Sequence, residues 1–191
     1  MEPISTALLA TALVKVAEKL AEKAIVDPAL EKGLEPFQKW LTGGVDRKKA
    51  EEELRAATQS AFDDFKAEVG DKFERLKIVN SLTALSADTH QLLAASAVEM
   101  TSSEPGRIPP ELLVALSLNE TDRAWLARYL AYLRKRIEKV SAFQPLIAFA
   151  NDMARNHHLD GIAADMARMV SDTARMKSLL ELLTAERGLT G

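Results

Sequence analysis

Apolar residues return along this chain every three or four positions. That is the spacing of helices with one buried face, not of strands. Residues 4–26 show it first: Leu9, Leu13, Val16, Leu20 and Ala24 share one side, and Lys15, Glu18, Lys19, Glu22 and Lys23 the other. The polar side narrows towards the N-terminus, where ISTALLATALV is apolar nearly all round. Asp27-Pro28 ends this helix and starts another turn, because Asp can cap and Pro suits the first helical position. Gly33 and Pro36 interrupt the segment DPALEKGLEPFQKWLTGG, leaving a short helix through Leu41 and a stop at Thr42-Gly43-Gly44.

Residues 46–77 mix both charge signs densely. They keep a narrow stripe of Leu54, Ala61, Phe65, Val69, Phe73 and Leu76, as an exposed helix packed along one seam does. Gly70 lies inside this run, with Asp71 and Glu74 spaced as a capping box, so the helix stops there and restarts, or bends. The next segment, to about Thr101, carries Phe73, Leu76, Val79, Leu82, Leu85, Leu92 and Met100 at helical steps. SSEPGRIPP, beginning at Ser102, is the clearest loop, and PELLVALSL after it forms a short helix. Asn119 then caps ETDRAWLARYLAYLRKRIEKV, whose Leu126, Leu130, Leu133, Ile137 and Val140 make a clean seam, and Ser141 can cap a further helix, AFQPLIAFANDMARN.

The strongest periodic signal comes last. From Gly161 to Arg187, the positions Ile162, Met166, Met169, Thr173, Met176, Leu180 and Leu183 alternate steps of four and three. This face serves either as a bundle seam or as a contact with a helix of another chain. The whole pattern predicts an all-α bundle of about seven helices. It is organised either as two packed subdomains, 1–101 and 108–191, or as one continuous domain.

Composition sharpens this picture only in places. The chain of 191 residues is 47% hydrophobic, and its 25 basic and 28 acidic residues leave a net charge of −3. Such a balance draws the molecule neither to nucleic acid nor to anionic lipid as a whole. No cysteine is present, which removes disulfides, thiolate metal sites and cysteine nucleophiles together. The apolar opening is broken by Thr6, Thr11 and Lys15, short of the ~18–20 residues of a spanning helix, and no basic stretch precedes it. The expectation is a soluble, cytoplasmic chain.

Chemistry is sparse. No G-x-x-x-x-G-K-[ST], G-x-G-x-x-G, G-x-S-x-G or H-E-x-x-H occurs, which disfavours an enzyme and implies no cofactor. His157 and His158, with Asp152, Asp160 and Asp165, have poor metal-ligand spacing: adjacent histidines point apart on a helix, and loop carboxylates commonly cap. His90 stands alone on a helix, as a polar-face or core histidine. Trp125, Tyr129 and Tyr132 fall among Arg123, Arg128, Arg134, Lys135, Arg136 and Lys139, and aromatics among cations can stack on single-stranded nucleic acid. In an acidic chain the plainer reading is favoured: the rings anchor the helix and the basic heads stay solvated. Met153, Met166, Met169 and Met176 concentrate in the last third, as core filling or as a surface able to repack.

The order of segments also has a likeness. An apolar opening helix, charged helices, RAWLARYLAYLRKRIEKV and a long final helix ending SLLELLTAERGLTG together resemble the helical N-terminal region that precedes the nucleotide-binding module of bacterial immune NTPases of the NACHT-type STAND class, relatives of NOD-like receptors. The likeness covers most of the chain through order and texture. The family's phosphate-binding loop is absent from this sequence, so ATP binding does not carry over, and no functional residue of the family maps onto a numbered position. The resemblance implies antiphage defence, with the chain a fragment or a stand-alone form of a protein carrying a fused C-terminal NTPase. Such regions act as effectors or relays when clustered, and some related helical domains permeabilise membranes through their first helix.

Two functions stand as expectations. One is a signalling, effector or adaptor module that binds a protein partner or itself, with Ile162, Met166, Met169, Met176, Leu180 and Leu183 as the partner-helix face. The alternative is a membrane-permeabilising effector that inserts its first helix. Leu9, Leu13, Val16 and Leu20 form the face that meets lipid in one case and a core in the other.

Overall fold

The structure is a computed structural model, and it describes residues 6–26, 35–83, 85–99 and 108–155 together with 168 and 170. Among the described residues the chain forms eight α-helices and no strand. They are α1 (Thr6–Val26), α2 (Glu35–Leu41), α3 (Arg47–Val69), α4 (Lys77–Thr83), α5 (Ala87–Glu99), α6 (Pro110–Ala115), α7 (Glu120–Ile137) and α8 (Gln144–Arg155). The all-α class read from the apolar spacing is the class observed.

Four helices close a ring: α1 packs on α3, α3 on α7, α7 on α5, and α5 back on α1. The helices before and after residues 102–107 thereby share one continuous hydrophobic core. The α2 and α8 helices lie against α1 and against each other, with α8 also touching α5. Helix α1 is the spine of this arrangement, and its composition shows why. Leu9, Leu13, Val16 and Leu20 are fully buried, and so are Ala10, Ala17 and Ala21 on the adjoining stripe. Large residues on one stripe and alanines on the next let partners approach from several sides. Polar ties flank it: Thr11 Oγ1 donates to Glu51 Oε1 at 2.5 Å, and Arg47 pairs with Glu18 at 2.9 Å.

Helix α3 starts where Asp46 accepts a hydrogen bond from the Lys49 N–H, and it buries Leu54, Ala61, Phe65 and Val69 as the stripe predicts. Its seam is wider than that stripe, since Ala50, Thr58 and Phe62 are buried too. Gly70 ends it at φ 61 and ψ −137, a conformation open to glycine and not to side chains with a Cβ. The helix therefore stops there, and residues 70–75 continue as a 3-10 helix.

The segment with helical steps that follows holds two helices, α4 and α5, and Met100 and Thr101 at its end lie outside the described residues. Ser86 divides them. Its hydroxyl accepts from the Thr89 N–H at 3.2 Å and pairs with the Thr89 hydroxyl at 2.8 Å, which makes it the cap of α5. Helix α7 begins with a full capping box between Asn119 and Asp122, and its whole seam, Leu126 to Val140, is buried. Helix α8 begins at Gln144 because residues 141–143 form a turn on Val140, so Ser141 lies ahead of the helix and does not open it. Of the helix expected over 161–187, only Arg168 and Val170 are described, both helical; Ile162, Met166, Met169, Met176, Leu180 and Leu183 lie outside the described residues.

Candidate functional site

The face of α1 singled out in the sequence meets protein on every side in this fold. Leu9, Leu13, Val16 and Leu20 show no exposed surface, while Leu8 is 47% exposed on the opposite side. Among the described residues no helix is long and apolar enough to cross a membrane.

Of the aromatic and basic residues singled out on α7, Trp125, Tyr129, Tyr132, Arg123, Arg128, Arg134 and Arg136 are engaged by neighbours, whereas Lys135 and Lys139 are exposed. Tyr129 is fully buried between Phe62 and Phe65, edge-on to both, with ring centroids 6.4 and 5.7 Å away. Trp125 meets Phe65 edge-on at 6.4 Å, and the Arg128 guanidinium lies 5.0 Å over its ring. Arg128 also pairs with Glu68 at 2.5 Å, Arg136 with Asp64 at 2.5 Å, and Arg123 with Glu120 at 3.0 Å. Tyr132 joins the same seam. A hydrogen bond to Glu68, then burial and the nearby carboxylates, push its phenol pKa up against the opposing pull of Arg128. Apart from the Arg123–Glu120 pair and the Arg128 contact with Trp125, which lie within α7, these contacts form the α3–α7 interface. Carboxylates of α3 are thus seated on Arg128 and Arg136, two of the cations in this basic set.

Arg134 differs from its neighbours, because it is 6% exposed and lies in the core. Its Nη1 donates to the Val98 carbonyl in the last turn of α5, its Nη2 to Asn151 Oδ1 of α8 at 2.5 Å, and its Nε to Glu138 Oε1 at 2.7 Å. Burial pulls its pKa down, and the Glu138 contact opposes that shift. By sequence alone this residue counts among the solvated cations. A signal was present: position 134 lies four after Leu130 and three before Ile137, on the buried face. Trp40 is the other missed anchor. It is buried, its indole Nε1 donates to the Ala142 carbonyl at 3.1 Å, and its ring sits edge-on to Phe143 at 5.7 Å.

Among the described residues two buried polar atoms, His90 Nε2 and Tyr129 Oη, have no hydrogen-bond partner. The other ring nitrogen of His90 lies 2.8 Å from the Ser86 carbonyl, which places this histidine in the core as a brace for the start of α5. Among the described residues no group of three or more His, Cys, Asp or Glu side chains is placed to hold a metal. The set of His157, His158, Asp160 and Asp165 lies outside the described residues, and of Asp152 only its position on α8 is described.

A scan against models of known protein families found no match. Searches of curated proteins and of solved structures also returned none.

Proposed function

We propose that this chain is a helical interaction module that works by association, with a second copy of itself as the partner. One observation carries this reading: the aromatic rings and most of the arginines that another function would recruit are engaged in joining helix to helix. Trp125, Tyr129, Arg128 and Arg136 hold α7 to α3. The face of α1 that would enter lipid is the centre of the core. The heptad-spaced face of Ile162, Met166, Met169, Met176, Leu180 and Leu183 is the surface we assign to association, on the strength of its spacing. The likeness to the helical regions of NACHT-type immune NTPases supplies a setting: a cytoplasmic effector or relay, clustered when a linked NTPase assembles.

Burial also weighs against the membrane alternative. Withdrawing Leu9, Leu13, Val16 and Leu20 forfeits about 1.5–3 kcal/mol each, or roughly 6–12 kcal/mol together. That is about the whole stability of an ordinary domain. Insertion of α1 therefore requires the bundle to come apart first.

Sedimentation velocity on the full chain, over a wide range of concentration, tests the proposal. The expected result is concentration-dependent assembly by the wild type, lost in Met169→Glu and Met176→Glu while their melting temperatures stay at the wild-type value. A wild type that remains monomeric throughout, or variants that assemble as it does, would contradict it.

A further inference from the structure

The stretch 161–187 carries more than its apolar spacing. With the heptad written abcdefg and the seam at a and d, Met166, Thr173 and Leu180 fall at a, and Ile162, Met169, Met176 and Leu183 at d. The edges of the seam then follow. Asp165, Asp172, Leu179 and Glu186 fall at g, and Ala163, Val170, Lys177 and Thr184 at e. The two described residues of the stretch fit this register. Both are helical: Arg168 is exposed at c, away from the seam, and Val170 is half-buried at e, beside it.

These edges select a direction. In a parallel pair each g residue meets the e residue five positions later on the other helix. Asp172 then meets Lys177 of the second copy, twice by symmetry, while Asp165 and Leu179 meet the uncharged Val170 and Thr184. No like charges face each other. In an antiparallel pair g meets g and e meets e. The charged g residues, Asp165, Asp172 and Glu186, are all acidic, so that edge repels itself and Lys177 has no carboxylate opposite. The centre of the seam adds a second criterion. Thr173 is its one polar residue, and only a parallel, in-register pair sets it against its own copy, hydroxyl beside hydroxyl. Antiparallel pairing, which sets a against d, buries it on Met169 or Met176.

We propose that two copies of this chain pair through these helices in parallel and in register. The proposal rests on the self-association reading above and adds its direction. The consequence is positional. The bundle precedes the paired stretch in each chain, so both bundles lie at the same end of the pair, side by side, which is the arrangement an effector that works by clustering needs.

Cross-linking of the full chain reads the direction, because the chain has no cysteine of its own. Under a mild oxidant, Thr173→Cys should become a covalent dimer about tenfold or more faster than Ser171→Cys, placed at the outer f position, since a disulfide forms only between closely apposed Cβ atoms. In sedimentation velocity at low salt, Asp172→Lys should weaken assembly about fivefold, as two attractive pairs become two repulsive ones, and adding Lys177→Asp should restore it. An antiparallel pair sets neither Asp172 against Lys177 nor Thr173 against itself. Thr173→Cys would then cross-link no faster than Ser171→Cys and the double reversal would rescue nothing, which overturns the direction while assembly of the wild type still stands. A wild type that stays monomeric overturns both, and the face is then a seam of its own bundle.

Discussion

Tyr129 buries a hydroxyl that has no hydrogen-bond partner among the described residues, and burial raises its pKa above the ordinary value of 10.0. Both folded and unfolded chains keep this proton below about pH 10. Above it the unfolded chain ionises and the folded chain does not, so stability falls as pH rises, by about 1.4 kcal/mol per pH unit from this group. Tyr129→Phe should remove that part of the alkaline loss. At neutral pH the variant should be at least as stable as the wild type, since an unpartnered buried hydroxyl costs about 1–3 kcal/mol. Urea unfolding at pH 7 and at steps above pH 10 measures both effects. The tyrosine was legible as one of three aromatics on a helix face, but the direction of that face was not. Its spacing fits the apolar seam, three after Leu126 and four before Leu133, as well as it fits an exposed platform with Trp125 and Tyr132. Phe62 and Phe65, more than sixty positions away in sequence, decide the matter.

At the scale of the element, the clearest difference between pattern and structure lies between Lys77 and Glu99. Apolar positions continue at helical steps from Val79 through Leu82, Leu85 and Leu92, so periodicity alone carries no sign of a break. The sign is local and polar: Ser86, three residues before Thr89, satisfies an amide that the helix leaves without a partner. Ser86→Ala should cost about 1 kcal/mol, visible as a lower urea midpoint with an unchanged m-value and as faster exchange at Thr89 and His90. The boundary at Gly70 was legible because a glycine inside a charged helix has few other uses. Arg134 was misplaced for the opposite reason: cations near a helix C-terminus are commonly solvated, and only the approach of α5 and α8 makes this one a core residue.

For the molecule as a whole, fold class followed directly from spacing, whereas the role of α1 did not. A helix with a wide apolar face meets the requirements of a lipid surface and of a bundle centre equally well. What separates them is the set of partners brought to it: α3 on one flank, α5 on another, α2 and α8 beside them. None of these contacts is recorded in residues 4–26 themselves. The final heptad face keeps its two readings, seam or partner surface, because spacing is the same for both.

The bundle depends on α1 as its spine. The thermal melt of Leu13→Glu against wild type, monitored by far-ultraviolet circular dichroism, tests that most directly. An unpaired carboxylate at a fully buried position should cost at least about 4 kcal/mol. For a chain of this size that lowers the midpoint by roughly 8–16 °C, or removes the cooperative transition altogether. A variant that melts cooperatively within a few degrees of wild type would mean that this face of α1 is not core. If such a folded variant also lost a vesicle leakage that the wild type shows, the stretch would be a membrane helix.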